Sequence, residues 1–309
     1  MGRWQLSRWQ RGLFASALIG FFGAAFAITP LGLDFEKNFG LSWLFKIRGP
    51  VQPPNEVAVI AIDSSTGKKL DLPKMPRDWP RSVHARVLDS LVERGADVVV
   101  FDFNFAKPKS NGEDQVFAAA IATADRVVLY QVLTGRKQPI YDSTGRQRGS
   151  LWVEEATPPA EPLARAAKGL GSFPLPKTEQ AAYEFWTFKA SARAAPTTAS
   201  IALQLHALDH YDLWLDILDQ ADAGGLTDIP SSVDQIGGAS EIRSLMSKFY
   251  NAFNRDDGLY LRVRSTIETI DGLKPKEKRL LSALANLYGG SDNRYINFYG
   301  PPGTITTVP

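Results

Sequence analysis

The chain has 309 residues, 44% hydrophobic and 22% charged, with a formal net charge of +2. This length and composition suit one large or two smaller packed domains, and a charge so balanced, with no basic tract, gives no sign of a nucleic-acid partner. The chain has no cysteine, which excludes disulfides, thiolate metal sites and a cysteine nucleophile.

Residues 12–33, "GLFASALIGFFGAAFAITPLGL", carry no charge. As a helix they would extend about 33 Å, enough to cross a hydrocarbon core of about 30 Å. Arg3, Arg8 and Arg11 precede them, with Trp4 and Trp9 suited to the interface. The positive-inside rule then puts residues 1–11 in the cytoplasm and residues 34–309 outside, with bilayer lipid contacted through 12–33. A cleaved signal peptide ending at "AFA" and a buried core helix are the rival readings. Gly20 and Gly23 are three apart, so no GxxxG pattern supports helix pairing.

Beyond the anchor, Phe35, Phe39, Leu41, Leu44 and Phe45 predict an amphipathic helix stacked on the domain, broken by "GPVQPP". "EVAVIAID" (residues 56–63) and "VVVFDFNF" (98–105) read as buried parallel strands. Between them "WPRSVHARVLDSLVERGAD" has the stripe Val83, Val87, Leu88, Leu91, Val92 and a stop at Gly95, which is a helix. "DQVFAAAIATAD" predicts a second helix and "RVVLYQVL" (126–133) a third strand. The alternation predicts an α/β fold, a parallel-rich sheet with crossover helices. Residues 134–195, rich in Pro, Gly and Ala, read as loops around one short helix. Residues 197–220 are helical, with Thr197 or Thr198 as cap. Residues 221–240 read as a polar, Gly-rich break, further helix-like stretches follow over 241–290, and "RYINFYG" predicts a late strand.

Asp63 and Asp102 fall at or near the C-terminal ends of predicted parallel strands, where open sheets bind ligands. On neighbouring strands the two carboxylates would come together, with Asp114 as a third. Such a group can hold a hard cation or serve as acid and base. The plainer reading is structural. Asp63 in "DSST" suits an Asx turn, and Arg81 suits a buried ion pair with either strand-end carboxylate. Pro80 fits a first helical turn, and Trp79 reads as a packed cover on the sheet. His206 and His210 share a helical face, but "HALDH" lacks the glutamate of a zinc-protease helix. "NRDDGLYLRVRSTIE" fails the calcium-loop register. "GPPGTITT" (300–307) opens like a phosphate loop, yet Ile305 stands at the second glycine and Thr306 at the lysine.

The apolar segment followed by "VAVIAID", "WPRSVHARVLDSLVERGADVVVFDFNFAKP" and "EDQVFAAAIATADRVVL", and much later by "INFYGPPGT", resembles the type-two CHASE domain. The resemblance is strong over 57–133, 195–205 and 295–306. It implies the extracytoplasmic sensor of a bacterial receptor, whose output would be a cytoplasmic adenylate cyclase, histidine kinase or Ser/Thr kinase domain beyond this chain. It also implies that 212–290 is a helical insertion longer than the family's usual linker, and that a closing strand and helices belong after Pro309. The expectation is an inner-membrane, extracytoplasmic sensor without catalysis or cofactor. It would answer a small-molecule or envelope stimulus as a homodimer, with Asp63, Arg81, Asp102 and Asp114 as candidate ligand contacts. The alternatives are an exported metal-dependent hydrolase using Asp63 and Asp102, and an envelope scaffold working through 212–290.

Overall fold

The computed structural model describes residues 7–62, 65–110, 112–175 and 182–308. In chain order it contains α1 (Arg8–Ala27), α2 (Pro30–Phe35), a π-helical turn (Glu36–Gly40), α3 (Leu41–Arg48), β1 (Val59–Ile60), α4 (Thr66–Lys69), α5 (Arg81–Glu93), β2 (Val99–Phe101) and α6 (Glu113–Ala124). There follow β3 (Val127–Tyr130), β4 (Val132–Tyr141), β5 (Gln147–Thr157), α7 (Glu161–Ala166), β6 (Gly169–Gly171), β7 (Glu184–Trp186), β8 (Phe188–Lys189), β9 (Ala195–Pro196) and α8 (Thr198–His206). The chain closes with α9 (Tyr211–Gln220), α10 (Ala239–Arg255), α11 (Leu259–Thr269), α12 (Pro275–Gly289), β10 (Asn293–Tyr295) and β11 (Thr307–Val308). The described residues fall into two units, one within 1–62, 176–184 and 295–309, the other within 63–175 and 185–294.

In the first unit α1 starts at a capping box. The Gln10 amide donates to Ser7 Oγ at 3.3 Å and the Ser7 amide to Gln10 Oε1 at 2.9 Å. At 20 residues α1 is long and apolar enough to cross a membrane, and none of its residues is buried. The helix expected over 12–33 is not continuous. It ends at Ala27, and Thr29 caps a new helix by accepting the Gly32 amide at 3.1 Å, with Pro30 in the first turn. Proline lacks the N–H that continuing the first helix would require, so the Thr-Pro pair is a helix start.

The amphipathic helix expected after the anchor is present as α2, the π turn and α3, and it stops at Gly49 (φ 72°). Only part of its apolar set faces protein. Phe45 meets Phe298 edge-on at 5.3 Å, and Arg48 donates to Asn297 Oδ1 at 2.7 Å and to the Phe298 carbonyl. Phe35, Phe39 and Leu44 are exposed. β1 pairs in parallel with β11, Val59 opposite Thr307 and Ile60 opposite Val308, so it does not join the sheet of β2. The expected buried strand is in fact short and exposed. An apolar run states a preference for strand but not which ladder it enters, and the β-branched Thr307-Val308 supplies this one.

The second unit is built on the parallel sheet β2-β3-β6. Side chains alternate across it. Val127 and Leu129 point into a core with Phe101, Phe105, Leu88, Phe117, Ile121 and Leu163, while Val128 points into a second core with Phe188, Ile201 and Leu205. That second core continues through Trp214, Phe249, Val263 and Leu284, so α9 to α12 share one apolar interior with α8 and the sheet. The helices expected over 212–290 are therefore there, packed as part of the unit. Thr197 is the cap position of α8, but its hydroxyl donates to the Trp186 carbonyl at 2.8 Å.

Residues 134–157 are not loop. β4 and β5 form an antiparallel hairpin, Val132 opposite Thr157 through Tyr141 opposite Gln147. Its turn is organised by Asp142, whose Oδ1 accepts from the Thr144 amide and hydroxyl and the Arg146 amide. The Thr144 hydroxyl first, then the Arg146 amide and Arg148, hold this carboxyl down at about 2. The hairpin escapes sequence reading because most of its side chains are exposed, leaving no alternating apolar face. The single short helix expected here is α7.

Candidate functional site

The segment "WPRS" enters α5 beneath the loop that leaves β2. Trp79 is buried and donates from Nε1 to the Pro73 carbonyl at 2.5 Å, which makes it the packed cover expected. Pro80 stands just before the first turn of α5, as its fixed φ favours. Arg81 then turns inward. Its Nε donates to Asp114 Oδ1 at 2.9 Å, its Nη2 to the Lys107 carbonyl at 3.0 Å, and its guanidinium lies over the Phe105 ring at 4.6 Å. Its own amide donates to the Glu113 carboxylate.

Asp114 sits in the first turn of α6, where a carboxylate meets the positive end of the helix dipole. Its second oxygen accepts the Lys109 amide at 2.7 Å. Lys109 reaches back to donate from Nζ to the Trp79 carbonyl at 2.5 Å. Gly112 (φ 74°) makes the left-handed turn that starts α6. The loop is thus fastened at several points: the buried guanidinium holds the Lys107 carbonyl and Asp114, Asp114 holds the Lys109 amide, and Lys109 holds the Trp79 carbonyl.

Over this knot lies an open cleft of 340 Å³ lined by Asp78, Pro80, Pro108, Lys109, Ser110 and Glu113. It carries both charge signs within one small volume, so it matches a small polar or zwitterionic solute better than an apolar one. Beneath it His84 is 2% exposed, stacked on Trp79 with centroids 6.3 Å apart and ringed by Phe101, Phe103, Phe105 and Phe117. Its Nε2 has no hydrogen-bond partner among the described residues. Burial first, then the charges of Arg81 and Lys109, lower its pKa from 6.5 to about 4, so the ring is neutral at neutral pH.

The structure brings together only part of the expected set. Arg81 pairs with Asp114, not with a strand-end carboxylate, and both are spent on protein partners. Asp102 follows β2 as expected but is exposed, with no hydrogen bond or ion pair among the described residues. Asp63 lies outside the described residues. Among the described residues the hydrogen-bonded neighbour of β1 is β11. Among the described residues no three His, Asp or Glu side chains are grouped to hold a metal. His206 pairs its Nδ1 with Asp97 Oδ2 at 2.6 Å and not with His210. Sequence reasoning passed over Lys109, Ser110, Glu113 and His84. The available signal was the polar "KPKSNGED" run between a strand and a helix, a usual place for binding loops.

"GPPGT" forms a turn. The Thr304 amide donates to the Pro301 carbonyl at 3.1 Å across Pro302 and Gly303, and Gly303 takes φ 87°. Proline then glycine at the central positions is the type II pattern. It delivers the chain into β11 and offers no helix N-terminus to a phosphate.

Compared with known families, residues 17–297 match the model of the CHASE2 domain. The chain belongs to the CHASE2 family. CHASE2 domains are extracytoplasmic sensor domains of signalling proteins and are not catalytic in themselves. No curated protein and no solved structure matches the chain. The sequence resemblance to the type-two CHASE domain agrees with the family match.

Proposed function

We propose that this chain is the sensing part of a membrane-anchored receptor, held by α1 with the rest of the chain outside the cytoplasm, and that it passes a stimulus to a cytoplasmic cyclase or kinase output domain. The observation that carries the reading is the cleft over the Arg81–Asp114 pair. It lies where the loop after a parallel strand meets two helix N-termini, and its charged lining is tied to those helices. A small polar solute bound by Lys109, Ser110 and Glu113 would pull on the loop and on the starts of α5 and α6 together. Arg81 and Asp114 then hold the loop in place and do not touch the solute.

Two experiments test this. Because the chain has no cysteine, Ser143→Cys in the exposed hairpin turn gives a single reporter. A membrane-impermeant maleimide should label it in intact cells, and labelling only after lysis overturns the topology. A panel of small polar solutes should contain one that raises the melting temperature of the wild-type chain and not of Ser110→Trp, which fills the cleft. An equal shift in both places the stimulus elsewhere.

A further inference from the structure

The face of α2, the π turn and α3 turned away from Phe298 carries Phe35, Phe39, Trp43 and Ile47, all exposed and each four residues from the last. In a regular α-helix a four-residue step overshoots one turn by about 40°, so such a row would spiral round the helix. Here the π turn at Glu36–Gly40 takes more residues per turn and offsets the drift of the first step, so the four side chains stay on one side of the helix. Phe35 and Phe39 stack at 5.2 Å within it. Lys46 flanks the stripe with its Nζ 5.6 Å from the Trp43 ring centre. An aromatic beside a basic side chain on an apolar strip is the pattern of a helix at a membrane–water interface.

The corner before this helix points the same way. In a continuous helix residue 32 would stand about 9 Å along the axis from residue 26. Instead a Cβ on Gly32 would lie 2.0 Å from the Phe26 carbonyl oxygen and 3.1 Å from Ala27 Cα. The chain therefore bends at Ile28–Thr29, and the absence of a side chain at Gly32 is what permits this close approach. A helix that leaves the end of a membrane-spanning helix through such a corner does not continue along the bilayer normal.

We propose that Pro30–Arg48 lies on the outer membrane–water boundary as an interfacial helix, with Phe35, Phe39, Trp43 and Ile47 immersed in lipid and Phe45 and Arg48 gripping the segment around Phe298. The proposal rests on the reading that α1 spans the bilayer. The ligand is the lipid surface itself. The helix makes a floor that ties β1 and its partner strand to the membrane, so a movement of the sensor is delivered to α1 through a surface-bound lever.

The test uses nitroxide labels on single-cysteine variants of the otherwise cysteine-free chain, reconstituted in phosphatidylcholine–phosphatidylglycerol nanodiscs. Phe21→Cys reports on α1, and Trp43→Cys and Ile47→Cys report on the stripe. The expected result is a deep label at 21 and shallow labels at 43 and 47, about 5–10 Å below the headgroups, where oxygen collides several-fold more often than a water-soluble nickel complex. A deep label at 21 with water-exposed labels at 43 and 47 overturns the interfacial helix and leaves the anchor standing. Labels at 43 and 47 shielded from both reagents show that protein, such as a second copy, covers the stripe, and also overturn it. A water-exposed label at 21 removes the anchor and this proposal together.

Discussion

Arg81 and Asp114 stand 2.9 Å apart with each side chain only 3% exposed. The pair joins the first turn of α5 to the first turn of α6, and its remaining hydrogen bonds run to the loop between them. A buried pair of this kind adds little net stability over apolar residues of the same shape, but removing one partner strands a charge in the interior.

Asp114→Ala is therefore expected to destabilise the second unit by about 3–5 kcal/mol, whereas Asp102→Ala, at an exposed side chain, should stay within about 0.5 kcal/mol. The double change Arg81→Met with Asp114→Leu should cost less than Asp114→Ala alone. Urea unfolding of the three variants checks the order. A larger loss from Asp102 would return it to the centre of the site.

His84 makes stability depend on pH. Its folded pKa of about 4 lies below its unfolded value of about 6.5. As pH falls through 6.5 the unfolded chain takes up a proton that the folded chain refuses, so stability is full above 6.5 and declines down to about 4. The slope should approach 1.4 kcal/mol per pH unit, a loss on the order of 3 kcal/mol. His84→Leu should remove this part of the acid-side slope in unfolding curves taken between pH 4 and 7.

Gly171 ends β6 against α8. A Cβ there would lie 2.7 Å from Thr198 Cα and 2.8 Å from its amide nitrogen, both backbone atoms that cannot swing aside. Gly171→Ala should cost about 1–3 kcal/mol by overpacking. At Gly149 a Cβ meets nothing, and the same change should be nearly silent. Thermal melts of the two variants give the comparison.

The helices of 212–290 bury Trp214, which is fully enclosed between Phe249 and Phe253 in the core shared with Ile201 and Leu205. Trp214→Ala should cost about 3–5 kcal/mol. Deleting residues 239–289 should unfold the second unit as a whole, seen as loss of protease resistance in the β2-β3-β6 region. A deletion that leaves that region resistant would make these helices a detachable insertion.

Local patterns in the chain were enough to specify the α1 helix, the strands β2 and β3, the crossover helices α5 and α6, the packed role of Trp79, and the failure of "GPPGT" as a phosphate loop. Each of those depends on neighbours a few residues away: a 3.6-residue stripe, a run of β-branched side chains, a proline before a helix. Partner choice does not. The Val59–Ile60 strand could have entered any parallel ladder, and only the fold joins it to Thr307–Val308. Sequence reasoning offered Arg81 two strand-end carboxylates, and the fold pairs it instead with Asp114 in the first turn of α6. The β4–β5 hairpin and the exposed stripe on Pro30–Arg48 were hidden for the same reason. Nothing local distinguishes a solvent-facing side chain from a buried one until the rest of the chain has covered one face and left the other open.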